Sequence, residues 1–492
     1  MSPTDFGSFE KNYNAGRTQL VSQWIAADTE TPVSAYLKLC GGAPYSFLLE
    51  SVEGGATLGR YSIIGHSPDL KWHAGKDRSQ TLSSLRKALA DCSIDDAPAD
   101  LPPMAVSGLF GYLGYDMIRV IENIPDKNPD DIGIPESILT RPTVLAIFDN
   151  VKNMICLVVP VYEHASNSKK SANDVYKQAT ARLTTQIENL EQPDKTARAT
   201  SSLSVPLQIN SNMGAADYKN AVTKAIDYIR QGEIFQAVLS QRFTIDFDLP
   251  PFELYRSLRR LNPSPFMFHL QFEDFALVGS SPEVLVRVRD NTVTIRPIAG
   301  TRKRGANEKE DKFLAEDLLA DPKEHSEHLM LLDLGRNDVG RVSDYGSVKV
   351  TSQFKIENYS HVMHIVSNVE GKLKKDHDIV DALFAGFPAG TVSGAPKVRA
   401  MQIIDELEPT RRGYYAGGVG YFSGNGEMDT CIALRTALIK NGKLYVQAGA
   451  GIVADSNPES EHQETVNKAQ AVIRAAELAV EQAQSKSRRA AK

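Results

Sequence analysis

The apolar positions change their rhythm along the chain. In the first third, short apolar runs at 45–49, 61–64, 144–148 and 154–161 read as strands separated by turns. Residues 81–90 there have helical spacing. From 163 to about 210 Ser, Lys, Ala, Gln and Thr dominate. That stretch predicts a helix over 172–190, then a loose connection, and so a domain boundary. From 217 the pattern is regular. Helices are predicted at 217–231, 251–261, 313–320, 323–334, 397–407 and 459–484, and strands at 234–247, 266–272, 275–279, 284–289, 292–298, 417–423, 430–440 and 443–449. Asn441-Gly442 between two strands is a hairpin signal. The expected fold is α+β, a large layered antiparallel sheet with flanking helices. The expected division is 1–162, a 163–210 helical excursion, a 211–484 catalytic domain and a basic tail at 485–492.

Composition is that of a soluble globular chain: 492 residues, 42% hydrophobic and 24% charged, with a net charge of −6. That balance argues against a nucleic-acid binder, and an anionic substrate would need local cations. Residues 1–23 lack a signal-peptide core, and no apolar run approaches membrane-spanning length. Cys40, Cys92, Cys156 and Cys431 are far apart and without CxxC spacing, as expected of reduced thiols in a cytoplasmic protein.

Two helix starts carry paired glutamates, Asp321-Pro322-Lys323-Glu324-His325-Ser326-Glu327 and Asn457-Pro458-Glu459-Ser460-Glu461-His462-Gln463-Glu464. In each, a capping side chain precedes Pro at the first helical position. The spacing of three puts Glu324 with Glu327, and Glu461 with Glu464, on one helix face. They are either solvated acidic first turns or, if the helices meet, a four-carboxylate cluster that calls for a hard cation such as Mg²⁺. Lys468 is either a salt-bridge partner of Glu464 or an anion ligand. Gly390-Thr391-Val392-Ser393-Gly394-Ala395-Pro396-Lys397 lacks phosphate-loop spacing, and is an ordinary turn or an anion cradle. The small residues 447–452 end a strand or admit a ligand close to the backbone. Arg435 falls inside a predicted apolar strand, either at an exposed face or buried with a partner. His364 lies in the apolar run His361-Val362-Met363-His364-Ile365, and Glu283 opens a strand. Each is a structural residue or a proton-transfer group.

Taken in order, these segments resemble the chorismate-utilising enzymes, and among them the anthranilate synthase large subunits (component I). The resemblance is carried by 232–236, Ser281-Pro282-Glu283, 296–301, 321–338, 387–400 and 449–468. It implies that chorismate binds with Mg²⁺, that ammonia adds at ring C2 as the C4 hydroxyl leaves, and that pyruvate is then eliminated. It implies Glu327 and Glu461 as principal Mg²⁺ ligands, supported by Glu324 and Glu464. Glu283 is expected to protonate the departing hydroxyl and His364 to handle the C2 proton. Arg435 and Tyr415 would clamp the enolpyruvyl carboxylate, and Gly449, Gly451 and Lys468 the ring carboxylate. Gly300, Thr301 and Thr391 would line the pocket, with Thr391 counted among the catalytic groups. Glu50, Ser51, Pro265, Phe266 and Met267 resemble a tryptophan feedback site, whose Pro and Ser also make good turn chemistry.

Two positions discriminate within the family. Relatives that make aminodeoxychorismate carry a nucleophilic Lys where this chain has Ala299. Relatives that add water carry a Lys base where it has Gln236, an amide that cannot act as a base. Both favour ammonia addition. No cysteine sits in an amidotransferase nucleophile setting, so ammonia is expected from a separate glutamine amidotransferase subunit, component II. The alternatives are an aminodeoxychorismate synthase subunit and a catalytically silent tryptophan sensor.

Overall fold

Apolar runs without polar alternation need cover on both faces, and strands such as Gly108–Leu113 and Phe275–Ser281, buried throughout, have it. In the computed structural model the described residues are 4–53, 57–75, 77–94, 101–102, 107–194, 199–359 and 362–490, without the side chains of 53, 57–58 and 486–490. His361 and the last two residues of the basic tail lie outside them. All described strands form one hydrogen-bonded network.

Two sheets make up that network. In the first, antiparallel neighbours run Gln19–Ala26, Met154–Val161, Ser137–Asp149, Thr57–His73, Ser46–Glu53, Phe266–Gln271, Phe275–Ser281, Thr436–Lys440, Lys443–Ile452 and Gln236–Asp246. In the second, the order is Gly108–Leu113, Gly418–Ser423, Met428–Ile432, Val284–Arg289, Thr292–Ile295 and Val362–Lys372. Ile298–Lys303 and Lys349–Asn358 also pair with Val362–Lys372. The long Ser137–Asp149 strand joins the sheets, since its start pairs with Gly108–Leu113.

Alternation sorts side chains between two cores. Phe47, Ile63 and Ile147 face the core shared by the sheets, where Phe47 stacks on Phe110 at 4.6 Å. Their neighbours Leu48, Ile64 and Phe148 face the other core, under helices Ala172–Glu191, Pro251–Leu261 and Pro458–Ala490. Burying each such side chain is worth roughly 1.5–3 kcal/mol. A one-residue slip would send every one of them to the wrong layer, so register is strongly fixed.

The expected α+β layered architecture is present. Four local expectations change. The predicted 430–440 strand is two strands, Met428–Ile432 and Thr436–Lys440, with Arg435 at the break rather than inside a strand. There the backbone turns through φ 46° at Arg435 and crosses from the second sheet to the first. The predicted 292–298 strand is also divided, at Arg296-Pro297, because proline has no N–H to give the ladder. The last helix runs on to Ala490, through most of the tail expected to fray. Strand Lys349–Asn358 and helix Ile379–Gly386 had no counterpart in the pattern reading. Among the described residues no helix is long and apolar enough to cross a membrane.

Candidate active site

The two glutamate pairs sit on helix starts of the expected kind. Asp321 Oδ1 accepts from the N–H groups of Lys323 at 3.0 Å and Glu324 at 3.3 Å, and Asn457 Oδ1 from Glu459 at 3.0 Å and Ser460 at 3.1 Å. The four carboxylates then divide. Arg302 Nη1 lies 3.4 Å from Glu324, and Lys468 Nζ lies 2.7 Å from Glu464. Glu327 and Glu461 have no ion-pair partner among the described residues. Burial, then the neighbouring Glu324, pushes the Glu327 carboxyl above the usual range. Burial likewise raises Glu461, with Glu464 adding to it. Among the described residues no three His, Cys, Asp or Glu side chains group closely enough to hold a metal alone. Two desolvated carboxylates without a cationic partner among the described residues suit Mg²⁺, a hard cation that takes carboxylate oxygens and keeps waters.

Gln236 joins these glutamates to the glycine strand. Its Nε2 donates to Glu327 Oε1 at 3.3 Å, and a Cβ on Gly451 would lie 2.5 Å from that nitrogen. Its Oε1 is buried and unpartnered. Lys443–Ile452 outruns its neighbour Thr436–Lys440, which pairs only as far as Val446, so among the described residues no strand covers that edge at Gly449 and Gly451. Lys468 Nζ donates to the Gly449 carbonyl at 3.0 Å, and a Cβ on Gly449 would meet the Tyr415 hydroxyl oxygen at 2.9 Å. Lys468 is thus both the i,i+4 partner of Glu464 and a contact of the glycine strand.

The two proton-handling candidates are held by the other predicted loops. Thr391 Oγ1 donates to Glu283 Oε2 at 2.9 Å. Burial raises Glu283 above the usual carboxylate range, against Thr391, Arg435 and Lys468, which pull it down. Burial also lowers the Arg435 guanidinium. His364 Nδ1 lies 2.8 Å from the Gly300 carbonyl and 3.2 Å from Thr301 Oγ1. A carbonyl only accepts, so Nδ1 carries the proton and Nε2 holds the free pair of the neutral ring. Burial brings His364 down to about 4, with Arg435 and Lys468 adding to the shift. Gly300 has φ +66°, and a Cβ there would stand 3.0 Å from Glu324 Oε2. One acid biased toward its protonated form and one neutral imidazole therefore share the field of Arg435 and Lys468.

Beneath them lies a buried pair that sequence reasoning missed. Glu408 accepts from Arg412 Nε at 2.9 Å and Nη2 at 2.6 Å, and from the Ser240 N–H at 2.8 Å. Arg412 also donates to the carbonyls of Val392 and Val238, both at 2.6 Å, and its guanidinium lies 5.5 Å from the Tyr415 ring centroid. It therefore ties the Thr391 turn, the Gln236 strand and Tyr415 together. The i,i+4 spacing was its one signal in sequence.

A cavity of about 870 Å³ opens between the two sheets. Glu50, Ser51, Pro265, Phe266 and Met267 all line it. Glu50 is buried and accepts from Arg259 Nε at 2.7 Å and Nη2 at 3.0 Å, and from the Tyr255 hydroxyl. Arg296, Glu357 and Tyr359 line the same cavity.

The profile of the chorismate binding enzyme family matches residues 45–474. The chain is 54% identical to anthranilate synthase component 1 of Cereibacter sphaeroides, over 96% of this chain and 97% of that protein. It is 48% identical to the Pseudomonas aeruginosa protein of that name, over 92% and 94%. Among solved structures, anthranilate synthase component I from Streptococcus pneumoniae superposes with a TM-score of 0.75 at 39% identity, covering 91% of this chain and 99% of that one. The fold is also that of MenF, the menaquinone-specific isochorismate synthase of Escherichia coli, with a TM-score of 0.71 at 21% identity over 93% and 94%.

Proposed function

The chain belongs to the chorismate binding enzymes, in their anthranilate synthase component 1 branch, and from that premise we propose how its site turns chorismate and ammonia into anthranilate, pyruvate and water. In the first step ammonia bonds to ring C2, both ring double bonds shift (C1=C2 to C1=C6 and C5=C6 to C4=C5), the C4–O bond breaks, and the ammonium formed at C2 gives up a proton to water. Glu283 gives its proton so that water leaves rather than hydroxide, a poor leaving group. In the second step the C2 proton passes to His364 Nε2 and the C3–O ether bond breaks as the ring becomes aromatic, and the departing enolpyruvate takes up a proton at its methylene carbon to become pyruvate. Arg435 and Tyr415 hold the enolpyruvyl carboxylate. Gly449, Gly451 and Lys468 receive the ring carboxylate, beside Glu327 and Glu461, which we assign to Mg²⁺ with Glu324 and Glu464 in support. A cation held there would neutralise those glutamates and attract the substrate carboxylate. Gly300 and Thr301 fix His364, and Thr391 fixes Glu283.

The observation that carries this reading is Gln236. Its amide, in contact with Glu327 and hard against Gly451, offers no base to activate water. Ala299, paired with Ile365 beside His364, offers no nucleophile. Ammonia is left as the attacking group. We further propose that it comes from a separate glutamine amidotransferase subunit, which the word "component" in the relatives' names supports. The inter-sheet cavity is proposed to bind L-tryptophan as a feedback inhibitor.

The test is product analysis of the purified chain with chorismate, an ammonium salt and Mg²⁺. Anthranilate and pyruvate in equal amounts are expected, with turnover abolished by a chelator. Aminodeoxychorismate as the end product would overturn the argument from Ala299. Isochorismate would overturn the argument from Gln236.

A further inference from the structure

We propose that Tyr359 is a positioning residue for His364 and carries the state of the inter-sheet cavity to that ring. This rests on the readings of His364 as the proton-handling group and of the cavity as an effector site.

The Tyr359 ring packs edge-on against the His364 ring, with centroids 5.4 Å apart and planes at 67°. Its hydroxyl donates to Glu357 Oε2 at 3.2 Å, and Arg296 Nη2 donates to Glu357 Oε1 at 2.5 Å. Glu357 is itself the cross-strand partner of His364. The backbone is pinned at the same point: Tyr359 N–H donates to Val362 O at 2.8 Å, and Arg304 Nη1 donates to Tyr359 O at 2.8 Å. Among the described residues His364 hydrogen-bonds only through Nδ1, so the tilt of its ring, and the aim of Nε2, depend on what packs against its face and edge. Tyr359 is that neighbour.

Arg296, Glu357 and Tyr359 also line the cavity, together with Glu50 and Met267. A ligand that draws Arg296 or Glu357 toward itself removes the anchor of the Tyr359 hydroxyl and lets the ring swing from His364. Burial, reinforced by Glu357, keeps the Tyr359 phenol well above its ordinary range, so the hydroxyl holds its proton and the link works by position rather than by titration. A two-state contact biased from both sides is what coupling between sites requires.

Tyr359→Phe keeps the ring and removes the anchor, and Glu357→Gln weakens the same anchor by another route. Tryptophan binding is read by calorimetry, and inhibition by ammonia-dependent anthranilate formation over a range of pH. In Tyr359→Phe tryptophan should bind no more weakly than in the wild type, since the anchor it would displace is gone, while the concentration for half-inhibition rises by about tenfold or more; Glu357→Gln removes a charge from the cavity lining and is read by the kcat profile alone. The acid limb of the kcat profile should shift in both variants. In Tyr359→Phe, binding and inhibition weakening together, or neither changing, would overturn the coupling. Should tryptophan fail to bind the wild type, the effector reading falls, and the positioning claim is decided by the kcat profile: an acid limb unmoved in both variants overturns it.

Discussion

Glu283 and His364 are opposite answers to one environment. Burial disfavours charge on either, so the carboxyl is biased toward its protonated form and the imidazole stays neutral. That is the pairing an acid-then-base sequence needs, and it comes from desolvation rather than from specific partners. Glu283→Gln keeps the shape and removes the proton. Turnover with ammonia should fall by at least about 10²-fold, with the thermal midpoint unchanged or raised; activity near wild type would remove Glu283 from the mechanism. From spacing alone the two read as an acid opening a strand and a lone histidine in an apolar run; their roles came from the family resemblance. Tyr359 and Glu357 drew none, since a Tyr and a Glu at the end of a polar strand carry no signal until the fold sets them beside His364.

At the scale of elements, the site is a junction. The glutamate helices were legible because a capping side chain followed by Pro is a local code, and the hairpin at Asn441-Gly442 was legible for the same reason. The break at Arg435 was not. Its flanks are apolar, no Gly or Pro marks it, and a strand changes sheets only in response to tertiary pairing. The missed Glu408–Arg412 pair pins that junction. Arg412→Met should cost about 3–5 kcal/mol, because it strands the Glu408 charge; urea unfolding measures this, and a cost below about 1 kcal/mol would contradict it. The glycine strand gives a graded test. A Cβ at Gly449 meets the Leu239 carbonyl at 2.9 Å, whereas at Gly451 it meets only the movable end of Gln236. Gly449→Ala should therefore raise KM for chorismate more than Gly451→Ala, and steady-state kinetics showing the reverse order would count against the assigned roles.

At the scale of the whole molecule, four of the described histidines are shifted furthest by burial, His66, His328 and His364 to about 4 and His269 to about 3. Each folded value lies below the ordinary 6.5. Between the two values the unfolded chain binds more protons, so stability is lost as pH falls from 6.5 toward 4, by up to about 1.4 kcal/mol per pH unit per histidine. The raised carboxylates Glu283, Glu327 and Glu461 act in the opposite sense and offset part of this at the acid end. Urea midpoints should drop over that window and stay flat just above it; a midpoint unchanged from pH 6.5 to 5 would contradict the burial account. The layered architecture was legible from strand spacing, but the crossing of the two sheets, and the cavity it leaves, were not, because both are set by pairings far apart in sequence. The division of labour between Glu283 and His364 is the central claim, and the products of His364→Ala with chorismate and ammonium salt test it most directly. The account predicts that chorismate is consumed and a non-aromatic amino intermediate accumulates without matching pyruvate. Anthranilate and pyruvate released at the wild-type rate would contradict it.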